Sequence, residues 1–291
     1  MLFVRFCQGF PVSVVFAALG SIPQRWGGCE QRGRFVAILS SSYQIAPIFA
    51  MVLAAAFCSS AYGWEGVYYL FGITTILSGL VFFVLYSDTP LDTRLFKIKQ
   101  LPGIAVKPPN KTGSVPYKAI FTSLSVWALW LTAFGDALGH QMFLMYGPTY
   151  MNKVLKFNIA QTGLLAALPF LLCIAVKVLA GMFLDKAGFP DIQKKTRLLS
   201  SGSQAAMTLC FALLIALPAT ASFLSQIVFT CIILFSGLHN VGLFSGCQIV
   251  AKQFSHVLTL VISMEIGTVA LILPGIVSSL APHNEESEVS G

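Results

Sequence analysis

The sequence predicts an all-α membrane protein with about eight transmembrane helices, on three observations. The first is compositional: 56% of the 291 residues are apolar and only 10% are charged, where a soluble domain carries about 25% charged residues. The mean hydropathy is +0.79. The second is the arrangement of the apolar residues, which fall in long blocks rather than in alternation or on one helical stripe. Blocks of about 20 apolar residues match the thickness of a bilayer. They must be helices, because a backbone in lipid has to satisfy its own hydrogen bonds. The third is the placement of basic residues, which gather in alternate connections.

The blocks, taken in order, run near Leu2–Ile22, Phe35–Cys58, Val67–Tyr86, Ile120–Tyr146, Gln161–Leu184, Leu198–Leu217, Phe223–Ala251 and Val257–Leu280. The fourth and seventh exceed the minimum length, so they are expected to tilt, kink or extend beyond the hydrocarbon. The connections after blocks one, three, five and seven hold most of the positive charge. Arg25, Arg32 and Arg34 follow the first block, six basic residues from Arg94 to Lys118 follow the third, Lys186, Lys194, Lys195 and Arg197 follow the fifth, and Lys252 follows the seventh. Basic loops stay cytoplasmic. The loop over residues 87–119 is therefore expected in the cytoplasm, with both termini outside it. The net charge of +7 reports topology in this reading and does not call for nucleic acid.

Seven cysteines show no paired spacing and read as small packing residues. No metal-ligand cluster, Gly-rich phosphate loop or nucleophile elbow is present in the sequence. Neither an enzyme nor a cofactor is expected; the expected partners are a small solute and the lipid bilayer. The membrane itself (plasma, lysosomal or vesicular) is left open.

The polar interval from Ser87 to Ala119 is rich in Pro and Lys and divides the chain. Residues 1–86 form a partial N-terminal bundle of three spans, 87–119 a central loop, and 120–291 a C-terminal bundle of five spans. Transporters are usually built from equal repeats. Three further spans before Met1 and one after Gly291 would give six plus six, so truncation at both ends is expected.

Several segments resemble one family. Arg5-Phe6-Cys7-Gln8-Gly9, Trp26 and Gln31-Arg32-Gly33-Arg34 are similar to the fourth helix and following loop of the anion:cation symporter family, the group of sialin, the vesicular glutamate transporters and the type I sodium–phosphate cotransporters. Further matches are Gly63-Trp64, Tyr68-Tyr69-Leu70-Phe71-Gly72, Ser87-Asp88-Thr89-Pro90, Pro148-Thr149-Tyr150-Met151 and Leu168-Pro169-Phe170. The resemblance implies a major-facilitator-type bundle of 12 helices, eight of them present, corresponding to family helices 4–6 and 7–11. It implies secondary transport of a small anion, organic or phosphate, by alternating access, with a proton or sodium ion as the co-transported species. The alternative reading is a fragment or splice remnant that inserts in the membrane without transporting.

Gly181, Asp185, Lys186 and Gly188 resemble the loop signature of the superfamily, in its second-half copy. Gly181 permits close helix approach, and Asp185 at a helix end suits the positively polarised N-terminus of a neighbouring helix. The last block, beginning near Val257, is the expected neighbour. Gly181, Asp185 and Lys186 are accordingly gate candidates.

Ionisable groups inside spans are costly and face a cavity or a partner. Arg5 matches the family's fourth-helix arginine, which implies substrate contact, and a guanidinium can grip a carboxylate or phosphate with two hydrogen bonds. Asp136 and His140 share one helix face, where histidine would respond to pH. His140, Gln141 and Tyr146 are expected to contact substrate. Lys177 and Glu265 lie at equal depth, about 12 Å from the cytoplasmic helix end, so an ion pair between them is one reading and snorkelling of Lys177 to the interface the other. Asp136, Glu265 and Lys177 are the coupling candidates. Two departures from the family stand out: Val12 where many members have glutamate, and Asp136 where glutamate-transporting members have arginine. Both argue against vesicular glutamate transport.

Overall fold

The computed structural model describes residues 7, 15–23, 32–60, 62–86, 115–153, 159–186, 191–218 and 221–280. Residues 15–23 are helical and are called α1. The remaining helices are α2 (Arg32–Ser40), α3 (Ser42–Cys58), α4 (Gly63–Leu85), α5 (Tyr117–Thr122), α6 (Leu124–Lys153), α7 (Ile159–Asp185), α8 (Asp191–Ala216), α9 (Ser222–Ala251) and α10 (Ser255–Leu280). A 3-10 turn over Lys252–Phe254 joins α9 to α10. No strand occurs among the described residues.

Five stretches among the described residues are long and apolar enough to cross a membrane. They are Gly33–Cys58, Gly63–Leu85, Thr162–Asp185, Ile192–Ala216 and Ser222–Leu280. Three of the eight predicted blocks do not appear as separate stretches. The last stretch contains both α9 and α10. Helix α6 is 30 residues long but carries Asp136, His140 and Gln141 near its middle. Most of the first predicted block lies outside the described residues.

The helices differ from the apolar blocks at identifiable points. The second block is interrupted at Ser41, between α2 and α3. Its cause is local: the hydroxyls of Ser40 and Ser41 both donate to the Ala37 carbonyl, at 3.2 and 2.7 Å, and Ser42 donates to Leu39 at 2.9 Å. Such back-bonding competes with the helical ladder. Helix α8 starts at Asp191 rather than near Leu198, so Lys194, Lys195 and Arg197 lie on its first turns. Prolines sit inside α3, α6, α7 and α10 at Pro47, Pro148, Pro169 and Pro274. Membrane helices tolerate them where neighbours re-satisfy the freed carbonyls.

Helix α7 packs along α2 and α3, α8 against α9, and α6 against α10. Three buried clusters mark these contacts. One joins Phe16 and Leu19 of α1 to Trp130, Phe244 and Leu258. A second gathers Phe143, Phe170, Phe229 and Ile232. The third, small-residue cluster is Ala37, Ala180, Leu184 and Val241. Helix α4 has no buried residue and touches only α3 among its substantial neighbours. Its exposed Ile73, Phe83 and Val84 form a surface suited to hydrocarbon and unsuited to water.

Candidate functional site

The polar groups inside the bundle form two hydrogen-bonded constellations. The first lies between α6 and α9. Asp136, 6% exposed, accepts a hydrogen bond at Oδ2 from Asn240 Nδ2 at 3.3 Å. Its Oδ1 is buried without a hydrogen-bond partner among the described residues. Asn240 Nδ2 also donates to the Ser236 carbonyl at 3.0 Å. The Ser236 hydroxyl meets His140 Nδ1 at 3.4 Å, and the His140 ring stands edge-on to Phe170 of α7. The helical spacing that places Asp136 and His140 on one face therefore turns both toward α9. There Ser236 and Asn240, again four residues apart, answer them. Gln141 is buried and Tyr146 half-buried; no hydrogen bond joins either to this chain among the described residues. Ser236 and Asn240 were not among the candidate site residues named from the sequence. The shared four-residue spacing on α6 and α9 is the signal that links them.

The second constellation joins α7 to α2 and α3 at the end of the bundle that carries the basic connections. Asp185 accepts the Gly33 N–H at Oδ1, 2.6 Å away, and the Arg34 N–H at Oδ2, 3.0 Å away. Arg34 Nε adds an ion pair at 3.6 Å. A carboxylate thus covers the first free amides of α2, where the helix dipole is positive. The close approach needs glycine on both sides: a Cβ on Gly181 would stand 2.7 Å from the Gly33 carbonyl oxygen, and one on Gly33 the same distance from the Gly181 oxygen. Lys186 is exposed, and among the described residues it forms no ion pair.

This corrects the expected neighbour of Asp185. The N-terminus of α10 instead meets α1, with the Ser255 hydroxyl donating to the Gly20 carbonyl at 2.7 Å. Because α7 lies along α2, the helix end within reach of Asp185 is that of α2.

Lys177 is likewise corrected. It is 1% exposed, and its ammonium donates to the Ser40 carbonyl at 3.2 Å, the Ser40 hydroxyl at 3.3 Å and Gln44 Oε1 at 2.8 Å. It forms no ion pair with Glu265; the one ion pair among the described residues is Arg34–Asp185. Glu265 is half-buried on α10, with Oε2 buried and unpartnered among the described residues. Equal depth fixes height along the membrane normal but not angle around the bundle, and Lys177 faces α2 and α3. Arg5 lies outside the described residues.

A cavity of about 440 Å³ opens between α3, α6 and α7, lined by Pro47, Met51, Leu144, Pro148 and Gly163 among others. Its walls are mostly apolar, with Asn152 and Thr162 the polar exceptions and no basic side chain, so they offer shape but little grip on an anion. Among the described residues no cluster of three or more His, Cys, Asp or Glu could hold a metal ion.

A profile described as Major Facilitator Superfamily matches residues 1–288. Mouse sodium-dependent phosphate transport protein 1 is 29% identical over 185 residues, 62% of this chain and 40% of that protein. Sheep sialin is 28% identical over 185 residues, 62% of this chain and 37% of its own length. The rice protein described as probable anion transporter 4, chloroplastic, is 31% identical over 179 residues, 59% of this chain and 29% of its own length. The chain thus matches about two fifths or less of these relatives.

Proposed function

Because this chain belongs to the major facilitator superfamily, and is a multi-pass integral membrane protein, we propose that it serves in secondary active transport of small anions by alternating access. Phosphate and other small anions are the substrate class, as the names of the phosphate and anion transporters it resembles suggest. The observation that carries this reading is the polar chain Asp136–Asn240–Ser236–His140 between α6 and α9, with Asp136 and Ser236 buried. A carboxylate with one unpartnered oxygen is expensive inside a membrane and is retained where it takes part in ion or proton movement.

In this mechanism Asp136 takes up and releases the co-transported proton or sodium ion, with Glu265 as a second acidic site on α10. His140, with Arg5, Tyr146 and Gln141, contacts the anion. The Asp185–Arg34 clasp, set by the Gly33–Gly181 approach, closes the bundle at its basic end and opens as the helices move; Lys186 adds charge at the mouth. The apolar cavity between α3, α6 and α7 gives the helices room to shift without holding charge.

The test is uptake of radiolabelled phosphate and of labelled sialate by proteoliposomes containing the chain. Saturable uptake is expected, falling about tenfold or more in Asp136→Asn, a loss of at least about 1.4 kcal/mol of transition-state stabilisation. Uptake no greater than in protein-free liposomes, from correctly inserted chain, would overturn the reading.

A further inference from the structure

Lys177 is unusual in its partners. A lysine buried at 1% exposure normally sits against a carboxylate. Here all three ammonium protons go to neutral oxygens, and two of those belong to Ser40, the last residue of α2. The Ser40 carbonyl is free to accept because the ladder is broken there. The Gln44 N–H, its ordinary partner four residues on, bonds instead to the Ser41 carbonyl at 2.9 Å. Lys177 Nζ fills the missing rung.

The same helix holds the other end of α2 through Asp185. Helix α2 is nine residues long, about 13 Å at 1.5 Å per residue. Lys177 and Asp185 are eight residues apart on α7, about 12 Å. The spacing matches, and so do the signs. The carboxylate faces the N-terminal amides of α2, where the dipole is positive, and the ammonium faces its C-terminal carbonyl, where the dipole is negative.

We propose that Lys177 and Asp185 form a two-point electrostatic clamp by which α7 grips both poles of α2, with Lys177 as the positioning residue at the Ser41 interruption. The gate reading uses Asp185 with Arg34 and the Gly33–Gly181 approach but not Lys177; the clamp makes the buried lysine the second jaw. Release of α2 then requires the ammonium to leave Ser40 and Gln44 as well as the carboxylate to leave Gly33 and Arg34. The Ser40–Ser42 run makes α2 a short unit that α7 can hold or free without dismantling α3. The proposal concerns the hold of α7 on α2, so it stands or falls independently of any transport measurement.

Hydrogen–deuterium exchange of the chain in lipid nanodiscs, resolved over residues 37–45, tests it. Lys177→Met is expected to raise exchange there about tenfold, with α8 and α9 unchanged. Unchanged exchange in that segment, or an equal rise in every helix, would overturn the proposal. Should Lys177→Met fail to insert, the Gln44 pair decides. Gln44→Leu removes the shortest contact and should speed exchange, whereas Gln44→Glu gives Lys177 a carboxylate and should slow it several-fold. Indistinguishable behaviour of those two variants would equally sink the clamp.

Discussion

At Asp185 two kinds of interaction separate cleanly. The amides of Gly33 and Arg34 point at a carboxylate that is 7% exposed, whereas the Arg34 side chain is 42% exposed and its Nε stands 3.6 Å away without a hydrogen bond. Hydrogen bonds to a sheltered charge contribute about 1.5–3 kcal/mol each, while an ion pair open to solvent contributes about 0–1 kcal/mol. Asp185→Ala should therefore lower stability by roughly 2 kcal/mol or more, and Arg34→Gln by less than about 1 kcal/mol. Thermal unfolding of the two variants in nanodiscs checks the ranking; equal losses would mean that the ion pair, not the helix end, holds the clasp. The sequence pointed to Asp185 through its resemblance to the superfamily's loop signature and its place at a helix end. Which helix it meets was not legible, because that depends on how α7 lies against α2, a matter of tertiary packing. Lys177 was visible as a buried charge for the same local reason, and its partners were hidden for the same tertiary one.

At the scale of elements, the apolar blocks were legible because lipid imposes both their length and their helicity. The interruption at Ser41 was not foreseen, although the run Ser40-Ser41-Ser42 carries its cause in hydroxyls that bond back to Ala37 and Leu39. Apolarity alone cannot register a break made by side chains with short polar reach. Contact between α7 and α9 rests on glycine in a comparable way to that between α7 and α2. A Cβ on Gly237 would fall on the Cys173 sulfur, and that thiol lies 3.5 Å from the Ile233 carbonyl. Gly237→Ala should destabilise the chain by about 1–3 kcal/mol through overpacking. Adding Cys173→Ala should restore most of the loss, since the sulfur is the obstructing atom. A double-mutant cycle on unfolding measures this; additive losses would place the strain elsewhere.

The whole molecule is organised by the difference between its two ends. The end bearing the basic connections holds the Asp185–α2 clasp and the Ser255–Gly20 contact between α10 and α1. The cavity between α3, α6 and α7 involves residues toward the opposite helix ends, such as Cys58 and Asn152. If the basic end is cytoplasmic, as the distribution of Lys and Arg predicts, the sequon Asn110-Lys111-Thr112 never meets the glycosylation machinery. The expected result is an unshifted band after glycosidase treatment of protein from secretory-competent cells, with glycosylation at Asn110 the contrary one.

Alternating access has a kinetic signature that separates it from a pore and from an inert helical bundle. Proteoliposomes preloaded with unlabelled phosphate should take up external labelled phosphate faster than empty ones, because the returning carrier moves loaded. The account predicts this trans-stimulation, and predicts that Asp136→Asn weakens it. Uptake indifferent to internal phosphate, or no uptake at all, would contradict transport by alternating access.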